Sequence, residues 1–295
     1  MSVAQRLADA GTNNIADIVD VERYPIDDPS SDRLHEVIER TRKDLDEVGC
    51  SVLPQFLRPD ALETARVEGS GLSQKTFYSH TQTNPYFTAD DPSLPAEDPR
   101  RFFMDRTSGF ITRDMLPPDT VAHRLYVAPG MKAFVAACVG EETIYEYADP
   151  FAGLVINVLP PGTEQPWHYD TNEFITTIMT QEPEEGGIFE YCPNIRTPET
   201  ENLEAVGDVL HGRDRGQVRQ LDLRAGDLQL FKGRFSLHRV TEVEGSRERH
   251  TAILAYSKEA GVVGKLERTR QLYGRVAEAH VEAAKRQQRS DGLTD

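Results

Sequence analysis

Apolar residues change their spacing part-way along the chain. In SDRLHEVIERTRKDLDEVG (31–49), Leu34, Val37, Ile38, Thr41 and Leu45 recur near the helical period. This predicts one amphipathic helix, opened by Ser31 or Asp32 and stopped by Gly49. CSVLPQFL follows as a short strand, and RPDALETARVEG as a second helix entered through Pro59 and closed by Gly69. Residues 80–101 are dense in Pro, Asp and Thr, show no period, and read as a loop, a lid or a wall on the substrate side. From about Ala152 the apolar residues fall into short runs cut by turn signals: GLVINVLPPG, EFITTIMT, GGIFEYCP, VRQLDLRAGD, LQLFKG, SLHRVTEVEG and HTAILAYS. Seven such segments predict a sandwich or barrel, with RAGD as a tight hairpin through Gly226. The stretch 195–217 interrupts the series as an insertion with one short helix. The C-terminal LERTRQLYGRVAEAHVEAAKRQQ predicts a helix with Leu266, Leu272, Val276 and Ala279 on one side. That face suits covering a sheet or an equivalent subunit, which leaves a homodimer open.

No internal repeat and no linker divides the chain. The expectation is a single domain over 1–295: helical and loop support over 1–150, a β core over 151–258, and a C-terminal helix over 259–295.

Composition narrows the function classes. Acidic residues outnumber basic ones 49 to 33, for a net charge of −16, so a nucleic acid or other polyanion meets a repulsive field. The basic-looking GRDRGQVR at 212–219 carries Asp214 and reads as a solvated loop. No long uncharged apolar run suggests a membrane span, and MSVAQRLADAGTNN lacks the pattern of a secretory signal. Cys50, Cys138 and Cys192 are scattered, with no CxxC, and are expected as small core residues of a cytoplasmic protein.

The candidate chemistry lies in three positions. His168-Tyr169-Asp170 is followed 70 residues later by His238, in SLHRV. Two imidazoles and one carboxylate on one face of an octahedron are what iron(II) needs if it is to bind a chelating cosubstrate and dioxygen opposite. On a strand, residues i and i+2 share a face, so His168 and Asp170 are expected to point inward and Trp167 and Tyr169 outward. His-x-Asp alone is a weak signal. It gains weight from Arg249 and Thr251, 11 and 13 residues after His238 in the otherwise apolar RHTAILAY. A guanidinium aimed into a barrel needs a carboxylate, and its planar fork suits bidentate capture of one.

PWHYD, LRAGDLQLF and SLHRVTEVEGSRERHTAILAY, in this order, resemble the 2-oxoglutarate/iron(II) dioxygenase superfamily over roughly residues 150–258. HYDTNEF and GGIFEYCPNIRTPETEN are similar to bacterial small-molecule oxygenases that include amino-acid radical halogenases and their hydroxylase relatives. The resemblance implies a mainly β fold with flanking helices, built on a double-stranded β-helix (a jelly-roll or cupin-like core). It implies His168, Asp170 and His238 as iron(II) ligands. Arg249 and Thr251 would clamp 2-oxoglutarate, with Arg247 as rival clamp and Asn157 as a contact for the cosubstrate. Arg106, Arg113, Asn172 and Glu173 are candidates for the substrate side. The implied activity is oxidative decarboxylation of 2-oxoglutarate by dioxygen, coupled to hydroxylation of an aliphatic C–H of a small polar metabolite such as a free amino acid. A radical halogenase, a protein side-chain hydroxylase, and a non-catalytic metal-binding sensor or scaffold remain as alternatives. Related halogenases carry a small residue in place of the ligand carboxylate, where this chain has Asp170. His80, His123, His211, His250 and His280 lack partners at ligand spacing and are expected to be exposed or hydrogen-bonded.

Overall fold

The structure, a computed structural model, describes residues 15–285. Two antiparallel sheets face each other. The larger has seven strands in the order Cys50–Leu53, Leu228–Phe231, Ile175–Gln181, Arg249–Leu254, Leu154–Leu159, Met104–Thr112, Phe77–Thr83. The smaller has four: Arg219–Leu221, Phe189–Cys192, Leu237–Val240, Gln165–His168. From Leu154 onward most connections cross from one sheet to the other, which winds the chain into a double-stranded β-helix.

Side-chain alternation assigns the faces. Leu154, Ile156, Val158, Ala252 and Leu254 point out of the large sheet, into a core closed by Leu34, Ile38 and Leu45 of the helix Asp32–Val48 and by Phe134 and Val135 of the helix Pro129–Val139. Burying each such aliphatic side chain contributes about 1.5–3 kcal/mol, so this layer carries much of the stability. The alternate residues Val155, Asn157, Leu159, Arg249 and Thr251 are left to face inward. Between the sheets, Leu159 and Phe231 meet Phe189, Tyr191 and Val240 of the small sheet. The outer face of the small sheet buries Trp167, Tyr169 and Leu237 under Tyr86 and under Val206 and Val209 of the helix Leu203–Leu210.

The first helix and the seven apolar runs fall as their patterns predict, and all three cysteines are buried and unpaired. Four expectations are corrected. The region 1–150 is more than a helical and loop support, because Cys50–Leu53, Phe77–Thr83 and Met104–Thr112 supply three strands of the large sheet. The helix after Pro59 runs through Gly69 to Ser73. Gly69 is there for closeness, since a Cβ on it would lie 3.1 Å from His250 Nδ1. RAGD does not close a hairpin: Arg219–Leu221 and Leu228–Phe231 lie in different sheets, and the turn carries the chain between them. Gly226 has φ 93° there, and Asp227 accepts from the amides of Gln55 (2.8 Å) and Arg224 (2.9 Å), which locks the crossing. The C-terminal helix is two helices, Leu266–Tyr273 and Glu278–Ala284, parted at Gly274 with φ 68°. The stretch read for a secretory signal and the end of the predicted C-terminal helix lie outside the described residues. Among the described residues no helix is long and apolar enough to cross a membrane.

Candidate active site

His168 ends the strand Gln165–His168, and His238 lies directly opposite it in register on Leu237–Val240. Directly paired residues share a face, so both imidazoles turn inward, with ring centroids 4.1 Å apart. Asp170 sits just past the strand end rather than on it, held by its own amide, which donates to Gly233 O at 3.1 Å. Even off the strand, its carboxylate converges on the pair. Asp170 Oδ1 is 4.0 Å from His168 Nε2 and Oδ2 is 3.6 Å from His238 Nε2, and one donor atom from each of the three residues lies within 4.8 Å of the others.

The hydrogen bonds of the imidazoles settle which nitrogen is available. His168 Nδ1 donates to Pro166 O (2.8 Å) and His238 Nδ1 donates to Ser236 O (2.9 Å). A carbonyl can only accept, so each ring carries its proton on Nδ1 and turns an unprotonated Nε2 to the centre. Burial, then the neighbouring His238 and Arg106, hold His168 well below the ordinary histidine range, which favours the neutral, ligating form. Two oriented Nε2 atoms and one carboxylate, with backbone carbonyls fixing the rings behind them, are a donor set that fits a divalent iron ion.

A glycine guards this geometry. A Cβ at Gly233 would lie 2.6 Å from Asp170 Cγ and overlap Oδ2. Gly233→Ala is therefore expected to displace the carboxylate and weaken iron(II) binding by roughly 10–100-fold, the range found when a ligand's support is removed. The circular dichroism spectrum should be unchanged. Titration with iron(II) under anaerobic conditions checks this, and wild-type affinity in the variant would contradict it.

Arg249 opens the strand Arg249–Leu254 and is 3% exposed. Its Nε donates to Gly187 O (3.0 Å) and its Nη1 to Thr251 Oγ1 (2.6 Å). Among the described residues no carboxylate pairs with it, and burial alone pulls it down to about 10. A buried guanidinium without a counter-ion is costly, and a ligand carboxylate is what would offset that cost. Thr251 is paired directly with Asn157 on Leu154–Leu159, so Arg249, Thr251 and Asn157 share the inward face. Asn157 Nδ2 donates to Gly109 O at 3.2 Å, which orients its amide. Arg247 is exposed, donates to Pro183 O (3.4 Å) and acts on Glu184 as a nearby charge.

Of the residues expected on the substrate side, the structure brings Arg106 to the triad. It is 5% exposed on Met104–Thr112, and Asp170 is the acidic group acting on it. Arg113 is not brought there: it pairs with Glu146 (2.9 Å) and stacks on Tyr126. Asn172 and Glu173 lie in the loop after Asp170, where Asn172 accepts from the Tyr147 hydroxyl and Glu173 pairs with Lys258 (2.6 Å). Those contacts tie the loop to neighbouring elements. The segment 80–101 starts inside a strand, and its Tyr86 packs on the outer face of the small sheet, while Phe87 turns a ring to His168 at 5.9 Å. His80, His211, His250 and His280 contact Thr107, Glu97, Glu248 and Asp149 in turn. Sequence reasoning missed Gly233, Phe87 and Arg268, whose guanidinium also stacks on Phe87. For Gly233 a signal existed, a glycine five residues before the distal histidine. Arg268 stood on a helix read only as packing.

A family model described as Halogenase D (HalD) matches residues 105–273, more than half of the chain. The chain belongs to the HalD family. Its fold is that of 2-oxoglutarate/iron(II) oxygenases. The non-haem α-ketoglutarate-dependent epimerase SnoN from nogalamycin biosynthesis is 14% identical over 76% of this chain and 84% of its own, with TM-score 0.53. AviO1 from Streptomyces viridochromogenes Tue57 is 15% identical over 76% and 96%, with TM-score 0.53. A Trichoplax adhaerens prolyl hydroxylase, solved with a hypoxia-inducible-factor peptide, is 14% identical over 76% and 90%, with TM-score 0.50. No curated protein matches this member of the HalD family.

Proposed function

We propose that the chain is an iron(II)- and 2-oxoglutarate-dependent hydroxylase that acts on an aliphatic C–H of a small polar metabolite. The observation that carries this reading is the pairing of two features on one interior: a His168, Asp170, His238 donor cluster and a buried Arg249 with no carboxylate partner among the described residues. A metal-binding sensor or scaffold would need the first and has no use for the second. With iron, 2-oxoglutarate and dioxygen present, the centre would supply an oxidant that removes a hydrogen atom from carbon and returns a hydroxyl group.

The chain's own residues divide the work. His168 and His238 offer Nε2, and Asp170 supplies the negative charge and a third donor. Arg249 and Thr251 take the distal carboxylate of the cosubstrate, with Asn157 on the same face toward its inner end. Arg106 receives the substrate beside the triad. Phe87, Phe189 and Phe231, whose rings lie 4.8–5.9 Å from His168 or His238, keep water from that side.

The HalD description raises a second reading, halogenation, and Asp170 favours hydroxylation over it. In the related halogenases a small residue leaves room for chloride. Here a carboxylate fills that position, and the absent Cβ of Gly233 makes space for it. The expected product is heavier by one oxygen, with no chlorinated species even at high chloride. Mass spectrometry of the reaction with a coupled substrate in chloride buffer checks this. A chlorine isotope pattern would overturn the hydroxylase assignment in favour of halogenation.

A further inference from the structure

Two guanidiniums flank one aromatic ring next to the triad. Arg106 Cζ lies 5.0 Å and Arg268 Cζ 3.8 Å from the centroid of Phe87, whose own ring faces His168. Arg106 comes from the strand Met104–Thr112 and Arg268 from the helix Leu266–Tyr273, so two distant stretches of chain meet over one side chain. Among the described residues neither has an acidic partner of its own. Arg106 donates through Nε to Ser108 Oγ (2.7 Å), and its buried Nη1 has no hydrogen-bond partner among the described residues. Arg268 donates to Gln271 Oε1 (2.7 Å). The acidic group that acts on Arg106 is Asp170, already part of the triad, while Arg268 works against it as a like charge.

This arrangement is expensive to hold without a ligand. Desolvating a guanidinium is costly unless it is paired, and a second one nearby adds repulsion. Phe87 is also held off the favoured backbone regions, at φ 57°. Asn84 fixes that turn: its Oδ1 accepts from the amides of Tyr86 (3.0 Å) and Thr88 (3.2 Å), and its Nδ2 donates to Thr88 O (3.0 Å). A strained residue, fixed by its neighbours and placed between two cations beside a catalytic centre, is a site arranged in advance for something the chain does not contain.

Resting on the hydroxylase reading above, we propose that Arg106 and Arg268 form a two-arginine seat for the substrate's anionic end, so that the C–H donor is a dianionic metabolite bearing carboxylate or phosphate groups. A zwitterionic amino acid brings one carboxylate and an ammonium, which would need an acid to face. Asp170 belongs to the triad, and Glu173 is paired with Lys258. Two guanidiniums offering separate forks match two carboxylates or one phosphate dianion. Arg268 is then a specificity-determining residue, and the C-terminal helix is part of the binding site as well as a cover.

The test is a thermal-shift titration of the full chain, held without oxygen and saturated with iron(II) and 2-oxoglutarate so that Arg249 is occupied. The probes are glutarate, inorganic phosphate, glycine and L-lysine. Glutarate or phosphate is expected to bind at least tenfold more tightly than glycine or L-lysine, and the tighter of the two names the anionic group. Arg268→Gln is expected to lose that anion binding at least tenfold while keeping its affinity for 2-oxoglutarate. Its melting temperature without probe should be equal to or above that of the wild type, because a repulsive charge has gone. Arg268→Lys, which keeps the charge without the fork, should fall between the two. No shift with either dianion, equal binding of L-lysine, or unchanged anion binding in Arg268→Gln would each overturn the proposal. Loss of 2-oxoglutarate affinity in that variant would do so as well. The same titration on metal-free protein separates this claim from the hydroxylase reading: an Arg268-dependent phosphate shift there supports the seat even if no turnover is ever found.

Discussion

His168→Ala is expected to weaken iron(II) binding by more than about a hundredfold, since loss of a ligand's outer hydrogen-bonding partner alone costs roughly 10–100-fold. His238→Ala should behave alike. The two rings stand in register on adjacent strands, each with Nε2 turned to the same point, so neither can substitute for the other. His168→Ala is the cleaner variant. His238 also packs against Phe231, with ring centroids 4.8 Å apart, and its removal opens space in the core between the sheets. Circular dichroism and the melting temperature of metal-free protein separate the effects, because a ligand role predicts lost iron with little change in either. Turnover of 2-oxoglutarate should fall with bound iron. Succinate formation near the wild-type rate in either variant would show that the triad is misassigned.

Arg249→Leu is the second large effect. Truncating one partner of a buried, hydrogen-bonded charge pair costs about 2–5 kcal/mol. At roughly 1.4 kcal/mol per factor of ten, that predicts a rise in KM for 2-oxoglutarate from some thirtyfold to above a thousandfold. Iron(II) affinity should be unaffected, since Arg249 lies on the large sheet and the ligands on or beside the small one. Removing an unpaired buried charge should also leave the ligand-free protein no less stable. Arg247→Leu serves as the control: the residue is exposed and its hydrogen bond goes to Pro183 O, so its KM should stay within about threefold of wild type, as expected for a surface substitution worth under ~0.5 kcal/mol. If the two variants exchange effects, Arg247 is the clamp.

The core of this fold was legible because its strands bury one or both faces, and Leu154–Leu159, Leu228–Phe231 and Arg249–Leu254 therefore read as apolar runs. The candidate donor cluster His168, Asp170 and His238 and the buried Arg249 were legible because the family resemblance implies their order and spacing. Met104–Thr112 was not, because its inward positions include Arg106 and Ser108, and polar residues that serve a site erase the alternation by which a half-buried strand is recognised. Asp170 lies two residues beyond the end of the strand that its spacing from His168 predicts. Strand termini are set by pairing with Leu237–Val240, which local sequence does not encode. Arg268 escaped for a further reason: on a helix rich in charge, one arginine turned inward looks like those turned to solvent, and only the meeting with Phe87 in three dimensions tells it apart.

The account's central claim is tested most directly by succinate. The metal-stripped chain is reloaded with iron(II) and given 2-oxoglutarate, with and without dioxygen, and succinate is quantified. The account predicts succinate that requires both iron and dioxygen, disappears when zinc replaces iron, and is lost in His168→Ala. The contradicting result is a chain that binds iron stoichiometrically at this cluster yet forms no succinate above the metal-free background with any substrate offered, including the acidic metabolites that Arg106 and Arg268 would seat.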